Sequence, residues 1–315
     1  IEAYPGSERI ASDDDEFPLH NACRFNTFAI VKYLYNLYPD AVNHASTSGF
    51  YPIHYAITCL SESDNPAAAM EIVHFLLDCD PNVKFQKFDG KPLLHYAYMW
   101  IDDYLNIDDA LEVIKAIYDA NPEAIEDNNI TSDIQEYHQR VQSFIRSELV
   151  YAHQAKDRSL MTTPDENGYL PLHTALQNSV RLGSIKLLVK GNPSALRTVD
   201  NNFAMPLHIA CHHHNSASVV QYLLDLDRRT LRAIDIDNDT ALHYACRGAK
   251  YDTIALLLEN YDATFVSKRN AQKKLPIDLL WESNAVGDRE SVDYTASVFR
   301  LLKSYPETVL ITMMR

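Results

Sequence analysis

The chain has 315 residues, of which 46% are apolar and 23% are charged, and it contains only 8 glycines. This composition predicts a packed, soluble protein, and the absence of a long apolar run excludes a membrane span. The net charge is −15, and residues 1–125 alone carry −13. An acidic surface repels phosphates, so we expect no nucleic-acid partner. We favour a protein partner, and a basic surface on that partner would complement the negative charge.

The first predicted elements are short helices that begin at a recurring phrase, seen first at residues 17–22 as FPLHNA. The proline present in most copies lacks the N–H that is unpaired in a first helical turn, so the phrase predicts a helix start. A seventh copy, at residues 275–280, has lost its histidine. Intervals of 34, 41, 78, 35 and 35 residues separate the motif histidines, and a further 35 residues lead to Asp278 at the same position of the seventh copy. The motif histidines are His20, His54, His95, His173, His208 and His243.

A second apolar cluster follows about 15 residues after the histidine in most copies, as at Val219–Leu224. Its residues recur every three and four positions, which predicts a second helix with one buried face. A proline then ends this helix, as at Tyr38–Val42, Asn192–Leu196 and Tyr305–Val309. Longer connecting loops are expected in three copies, at residues 61–66, 102–109 and 284–293.

The period is broken between His95 and His173, whose interval exceeds one unit by 43 residues. Residues 130–160 lack Gly and Pro, and apolar residues from Ile134 to Ala152 recur at helical spacing, which predicts one long amphipathic helix of roughly 20–25 residues. Three roles stay open for it: a strut packed on the repeats, a self-associating or partner-binding helix, or a degenerate repeat. The chain then divides into repeats at 1–125, a helical insertion at 126–162 and repeats at 163–315.

One unit of about 35 residues cannot bury its own apolar face, whereas stacked units can. The phrase and its period resemble the ankyrin repeat, whose unit carries Thr-Pro-Leu-His-x-Ala. The resemblance implies an all-α solenoid of about seven stacked helix-loop-helix units with hairpin-like turn tips, plus the inserted long helix. Only Thr240 keeps the family's threonine, and Phe203 and Asn238 stand where the family usually has glycine.

The same resemblance implies that the motif histidines make structural hydrogen bonds and that a partner binds along a concave groove. In the family, the variable positions of this groove lie seven, six and four residues before each motif histidine and four and five residues after it. Carried onto this chain, they also include Cys59, Ala204, Ile236 and Asp239. The expected partner-binding residues are Phe50, Phe88, Met99, Trp100, Tyr169, Gln177, Asn201, Asn202, His212, His213, Asp237 and Arg247.

Four of these positions carry large aromatic groups, which are natural anchors for a partner. They are Phe50, Phe88, Trp100 and Tyr169. The alternative is that they pack on the adjacent inserted loops.

Residues that could support chemistry are few. His208 and His212 share a helix face within reach of zinc, but no further ligand is near in sequence, so we expect no metal site. Cys23, Cys211 and Cys246 occupy one repeat position that suits a small core residue. The chain contains no signature of a dinucleotide, phosphate, hydrolase or metalloprotease site, so neither a cofactor nor catalysis is expected.

The sequence therefore predicts a non-catalytic scaffold that binds a protein partner and is itself a monomer. The alternative is a regulatory or targeting module of a larger enzyme, since the chain begins at Ile1 and a fragment could have lost other domains or targeting signals. Five cysteines without zinc-ligand spacing favour free thiols in a reducing compartment, so we expect a cytoplasmic protein, with the nucleus also open.

Overall fold

The computed structural model describes residues 6–25, 27–62, 66–100, 107–133, 137–213, 216–261, 263–283 and 292–304. The chain forms two compact units, Ile1–Ala152 (unit 1) and His153–Arg315 (unit 2), whose boundary falls inside a helix. Among the described residues, none of the helices is long and apolar enough to cross a bilayer.

Unit 1 consists of helix pairs followed by the beginning of the insertion. Its helices are α1 (Pro18–Arg24), α2 (Phe28–Leu37), α3 (Pro52–Glu62), α4 (Pro66–Cys79), α5 (Leu93–Trp100), α6 (Ile107–Ala120), α7 (Asn128–Asp133) and the first part of α8 (Gln139–Lys156). A short antiparallel hairpin, β1 (Lys87–Phe88) and β2 (Lys91–Pro92), precedes α5. The first helices α1, α3 and α5 pack side by side, and the second helices α2, α4 and α6 form a row beside them.

Unit 2 repeats the same arrangement with greater regularity. Its helices after α8 are α9 (Arg158–Thr162), α10 (Pro171–Gln177), α11 (Leu182–Gly191), α12 (Pro206–His213), α13 (Ala217–Leu226), α14 (Ala241–Arg247), α15 (Tyr251–Asn260), α16 (Ala263–Val266), α17 (Pro276–Glu282) and α18 (Val292–Ser304). The first helices α10, α12, α14 and α17 pack in sequence, and so do the second helices α11, α13, α15 and α18. The predicted stacked, all-α architecture is confirmed within each unit.

The residues of the recurring phrase explain why the first helices pack closely. The leucine or isoleucine before each motif histidine is buried, and so is the alanine two residues after it. Since alanine adds only a methyl group to the helix surface, neighbouring first helices can approach one another. These alanines are Ala22, Ala56, Ala97, Ala175, Ala210 and Ala245.

The predicted stop signals also have a defined structure. Prolines at Pro39, Pro122 and Pro193 each begin a short 3-10 helix directly after a second helix, so the α-helix ends there and the chain turns back. The expected stop at residues 305–309 lies outside the described residues, and so do residues 63–65, 102–106 and 284–291 of the three expected longer loops.

The insertion differs from its expected length. The long helix is present as α8, but it has 18 residues rather than the expected 20–25, and the short helices α7 and α9 flank it. Asp157 has extended backbone between α8 and α9, and its carboxylate accepts the N–H groups of Ser159 and Leu160. An N-cap at this position ends one helix and starts the next. Ile134, which was assigned to the predicted helix, lies outside the described residues.

Candidate functional site: the turn tips and the ends of the first helices

The motif histidines are fully buried, and four of them bridge successive parts of the stack. In His208, Nδ1 accepts the N–H of Met205 at 3.0 Å, and Nε2 lies 3.3 Å from the carbonyl of Ala233, which precedes the next turn tip. An N–H can only donate and a carbonyl can only accept, so this geometry requires the neutral ring with its proton on Nε2. Equivalent pairs of bonds form at His20, His173 and His243.

Burial keeps these histidines uncharged. It lowers the pKa of every motif histidine, and for His54 to about 3. A neutral imidazole that is sealed from solvent and hydrogen-bonded to backbone serves as a structural link. It is not placed to exchange protons with a substrate.

His95 differs from the other motif histidines because its Nδ1 does not accept a backbone N–H. The reason lies in the residues of its own phrase. The position three residues before it is Pro92, which has no N–H to donate. The hydroxyl of Tyr137 lies 3.2 Å from Nδ1 of His95 instead, and the two rings meet edge to face. Tyr137 therefore brings the insertion to the hydrogen-bonding position that a backbone amide occupies in the other repeats.

Most turn tips owe their shape to a polar residue eight positions before the motif histidine, although Lys87 before His95 lies in β1 instead. The Asp200 carboxylate accepts the N–H groups of Asn202 and Ala204, both at 2.8 Å, which closes the turn. Asp165 and Asp235 do the same in the neighbouring repeats. Five positions before the motif histidine, or before Asp278 in the seventh copy, the backbone is left-handed. These residues are Asp15, Gly49, Gly90, Gly168, Phe203, Asn238 and Lys273.

Successive tips are joined through their backbones. The N–H of Asn201 donates to the carbonyl of Asn167 at 3.0 Å, and the N–H of Ile236 donates to the carbonyl of Asn202 at 2.9 Å. The N–H of Ala271 continues the row by donating to Asp237 at 2.7 Å. These backbones are therefore fixed, while the side chains of Asn201, Asn202, Ile236 and Asp237 remain exposed.

The ends of the first helices carry the remaining expected binding residues of unit 2. Gln177 and His213 are exposed, and His212 is half-buried, with Nδ1 lying 3.3 Å from the carbonyl of Tyr244. Arg247 is exposed, but its guanidinium pairs with Asp239 and lies over the Tyr244 ring. Arg247 therefore connects its helix to the tip of its own repeat and is less available to a partner than the sequence suggests.

The expected aromatic anchors divide into two groups. Phe50 and Phe88 are half-buried and stack on each other at 4.2 Å between ring centroids, and Tyr169 stacks on the motif ring of His173. They pack against their own and neighbouring repeats, so they are not free anchors. Met99 and Trp100 at the end of α5 are exposed, as expected for groups available to a partner.

Three positions assigned to the groove face inward. Cys59, Ala204 and Asp239 are buried. Ala204 and Asp239 both lie four residues before a motif histidine, where the turn has already returned to the helix start, so their side chains pack beneath the tip. The expectation that they face a partner is wrong.

Two large apolar side chains at the tips of unit 2 are more exposed than the residues chosen as anchors. Phe203 is 57% exposed and Ile236 is 60% exposed. Ile236 donates its N–H to the carbonyl of Asn202, the residue before Phe203, so the two residues stand on neighbouring, directly bonded tips. Phe203 has φ of 60°, a conformation that costs a bulky residue free energy. The only sequence signal was that phenylalanine stands where glycine is usual.

The histidine and cysteine side chains that were candidates for metal binding or catalysis lie in surroundings that suit structural roles. Among the described residues, no group of three or more His, Cys, Asp or Glu side chains is arranged to hold a metal ion. Cys23, Cys211 and Cys246 are fully buried, and burial raises the pKa of each thiol, so none is ionised near neutral pH.

Comparison with known proteins agrees with this geometry. Residues 172–269, which run from α10 to the segment before α17, match the family model for ankyrin repeats in three copies. No curated protein matches the chain. Ankyrin repeats are generally modules for protein–protein interaction. The expected total of seven repeats stays a prediction, but the motif, the stacked helix pairs and the family match agree that the chain is an ankyrin-repeat protein.

Proposed function

We propose that the protein is a non-catalytic scaffold and that unit 2 binds a protein partner through its tip patch. The tip patch consists of two apolar side chains, Phe203 and Ile236, bordered by the polar groups of Asn201, Asn202 and Asp237. Gln177 and His213, at the ends of two first helices, extend the surface. On this proposal the partner is a folded or extended segment of another protein that buries an apolar group between the two tips.

The observation that carries the proposal is the row of exposed side chains on a fixed backbone. Each tip is closed by its aspartate and bonded to the next tip, so binding would order few additional backbone torsions. Preorganised surfaces lose less conformational entropy when they bind, which leaves more of the contact free energy for affinity.

The strain at Phe203 supports the same surface. Glycine would adopt φ of 60° without the steric cost, and the exposed ring gains little from burial in the isolated chain. A residue that costs stability where it stands is explained if its side chain is buried when a partner binds.

One further feature concerns location. No disulfide joins any of the five cysteines, all of which are among the described residues. Reduced thiols support a reducing compartment, and the proposed location is the cytoplasm, with the nucleus as the alternative.

The decisive experiment separates binding from folding with Phe203→Gly. Proteins retained by the 315-residue chain would be identified by mass spectrometry, and their affinities measured for the wild type and the variant. We expect binding at least tenfold weaker, while the melting temperature stays the same or rises, because glycine relieves the left-handed strain at a cost of some chain entropy.

Leu226→Ala serves as the matched control, since Leu226 is an exposed apolar residue of the same unit and lies on the second helix α13, outside the tip patch. It should leave the affinity within twofold. If Phe203→Gly binds every retained protein as tightly as the wild type, the tip patch is not the binding surface.

A further inference from the structure

Three arginines of unit 2 share one surface around the buried carboxylate of Asp227. This carboxylate caps the short 3-10 helix Arg228–Arg232 by accepting the N–H of Arg229. It also accepts the Nε–H of Arg229 at 3.0 Å and pairs with Nε of Arg197 from the preceding turn. Arg232 lies three residues after Arg229, and side chains at this spacing eclipse one another in a 3-10 helix. We call Arg197, Arg229 and Arg232 the arginine cluster.

The outer ends of these guanidinium groups remain available to a ligand. Arg197 and Arg229 pair with Asp227 through Nε, and their side chains are still 53% and 78% exposed. Arg232 is also exposed, and within the described ranges it makes no ion pair. A guanidinium group has five N–H donors, so a bond through Nε leaves four on the terminal nitrogens. Asp227 therefore orients two arginine forks without occupying them.

The fold does not require arginine at these positions. Short 3-10 helices of the same length follow second helices of unit 1 at Pro39–Asn43 and Pro122–Glu126. The second residue of each, which is the counterpart of Arg229, is Asp40 in one and Glu123 in the other. Since the turn forms with an acidic or a basic residue at this position, the turn itself gives no reason for arginine, and a ligand does.

The charge of the arginine cluster suits a dianion. Together with Asp227 the three arginines carry a net charge of +2, and the nearby Arg228 and Asp225 offset each other. A phosphate monoester carries about −1.5 to −2 charges at neutral pH, and its three oxygens can accept from several arginine forks at once. A single carboxylate of a partner has about half of that charge and only two oxygens, so it matches the cluster less well.

We propose that the arginine cluster binds a phosphoserine or phosphothreonine of a partner protein. The phosphate oxygens accept N–H groups from the terminal nitrogens of Arg197 and Arg229, and Arg232 contacts the phosphate from the same face of its helix. The net charge of −15 on the whole chain opposes an anionic bilayer or a nucleic acid, which favours a single phosphate on a protein. The cluster shares no residue with the tip patch and does not depend on it.

Two peptide libraries test the proposal directly. Both have random flanking residues, and the central residue is phosphoserine in one library and serine in the other. Each library is passed over the immobilised 315-residue chain, and the retained peptide is measured. We expect at least tenfold greater retention of the phosphorylated library. Arg232→Gln should lower that retention about tenfold, because it removes charge-assisted hydrogen bonds to the phosphate but no ion pair within the described ranges.

Arg228→Gln is the matched control for the loss of one positive charge. Arg228 is exposed on the same 3-10 helix, but it lies three residues before Leu231 and so on a different face from Arg229. This variant should retain the phosphorylated library within twofold of the wild type. Phe203→Gly should also have no effect, so failure of the tip patch and failure of the arginine cluster are distinguishable. Circular dichroism of each variant verifies that the helices are retained.

Two further probes distinguish a protein phosphate from other anions. A library with central glutamate should be retained about tenfold less than the phosphorylated one, and vesicles that contain phosphatidylserine should not co-sediment with the chain.

Four results would overturn the proposal. The first two are equal retention of the phosphoserine and serine libraries, and unchanged retention by folded Arg232→Gln. The third is equal retention of the glutamate library, because the cluster would then recognise acidic segments. The last is vesicle binding that Arg232→Gln abolishes, because the ligand would then be a lipid headgroup.

Discussion

The two units contain the same histidine phrase, but the motif histidines make their full pair of hydrogen bonds more consistently in unit 2 than in unit 1. In unit 2, His173, His208 and His243 each bond to the amide of their own helix start and to a carbonyl before the next tip. In unit 1 only His20 makes both bonds. Nε2 of His54 has no hydrogen-bond partner among the described residues, and His95 has lost its backbone donor to Pro92.

The difference teaches that the phrase specifies the helix start more strictly than it specifies the link between repeats. A leucine, a histidine and an alanine at fixed positions suffice to bury one helix face. The second bond of the histidine depends on where the following segment runs, which varies with the long loops of unit 1. The match to the family model falls within unit 2, where the links are regular.

The largest expected effect is loss of stability in acid. Burial lowers the pKa of the motif histidines below that of an exposed ring, to about 3 for His54, so the unfolded chain binds more protons as the pH falls. Stability is therefore complete above about pH 6.5 and declines below it, by up to about 1.4 kcal/mol per pH unit for each histidine.

Each unit contains one tryptophan, which allows the units to be followed separately. Trp281→Phe leaves Trp100 to report on unit 1, and Trp100→Phe leaves Trp281 to report on unit 2. Urea unfolding between pH 8 and pH 4 gives the slope for each unit, and His54→Gln should flatten the slope of unit 1. A free energy of unfolding that is independent of pH in this range would contradict the buried, neutral assignment.

The next prediction compares a motif histidine that makes both hydrogen bonds with one that makes only one. His208→Ala leaves the Met205 amide and the Ala233 carbonyl without their partner and opens a cavity, so we expect a loss of about 3–5 kcal/mol. His54→Ala deprives only the Tyr51 amide and should cost about 1–3 kcal/mol. The exposed His213→Ala is the control, with a change below about 0.5 kcal/mol. Equal losses at His208 and His54 would show that the second bond contributes little.

The smallest effect tests the substitution of Tyr137 for a backbone amide. Tyr137→Phe removes the hydroxyl that bonds His95 and should destabilise unit 1 by about 1 kcal/mol. Pro92→Leu restores an N–H at the position that donates in the other repeats, so it should recover part of that loss. A double-mutant cycle in urea measures the coupling. Additive effects would mean that the tyrosine and the missing amide are unrelated.

Much of the fold could be predicted because repetition reveals the spacing of buried groups. The phrase located the helix starts, and the prolines located the ends of the second helices at Pro39, Pro122 and Pro193. The contact between His95 and Tyr137 could not be predicted, because 42 residues separate them and no pattern links them. The break at Asp157 was missed because one capping carboxylate outweighed a continuous apolar pattern.

The candidate site was predicted less well than the fold. Positions taken from the family located the exposed Asn201, Asn202 and Asp237, but exposure at a tip also depends on local stacking. Phe50 and Phe88 cover each other, which only coordinates reveal. Phe203 was noticed as a missing glycine, yet its exposure follows from the left-handed turn that lifts its side chain away from the helices.

The backbone bonds between successive tips have a consequence for how the chain can change in length. The two inner tips of unit 2, at Asn201–Asn202 and Ile236–Asp237, each give one such bond and receive another, and the motif histidines there are 35 residues apart. Removal of one whole period between His208 and His243 would bring the amide of Ala271 to the carbonyl of Asn202 in an equivalent geometry. The row of tips can thus gain or lose a member without leaving a donor or an acceptor unmatched, whereas a change of a few residues would leave both.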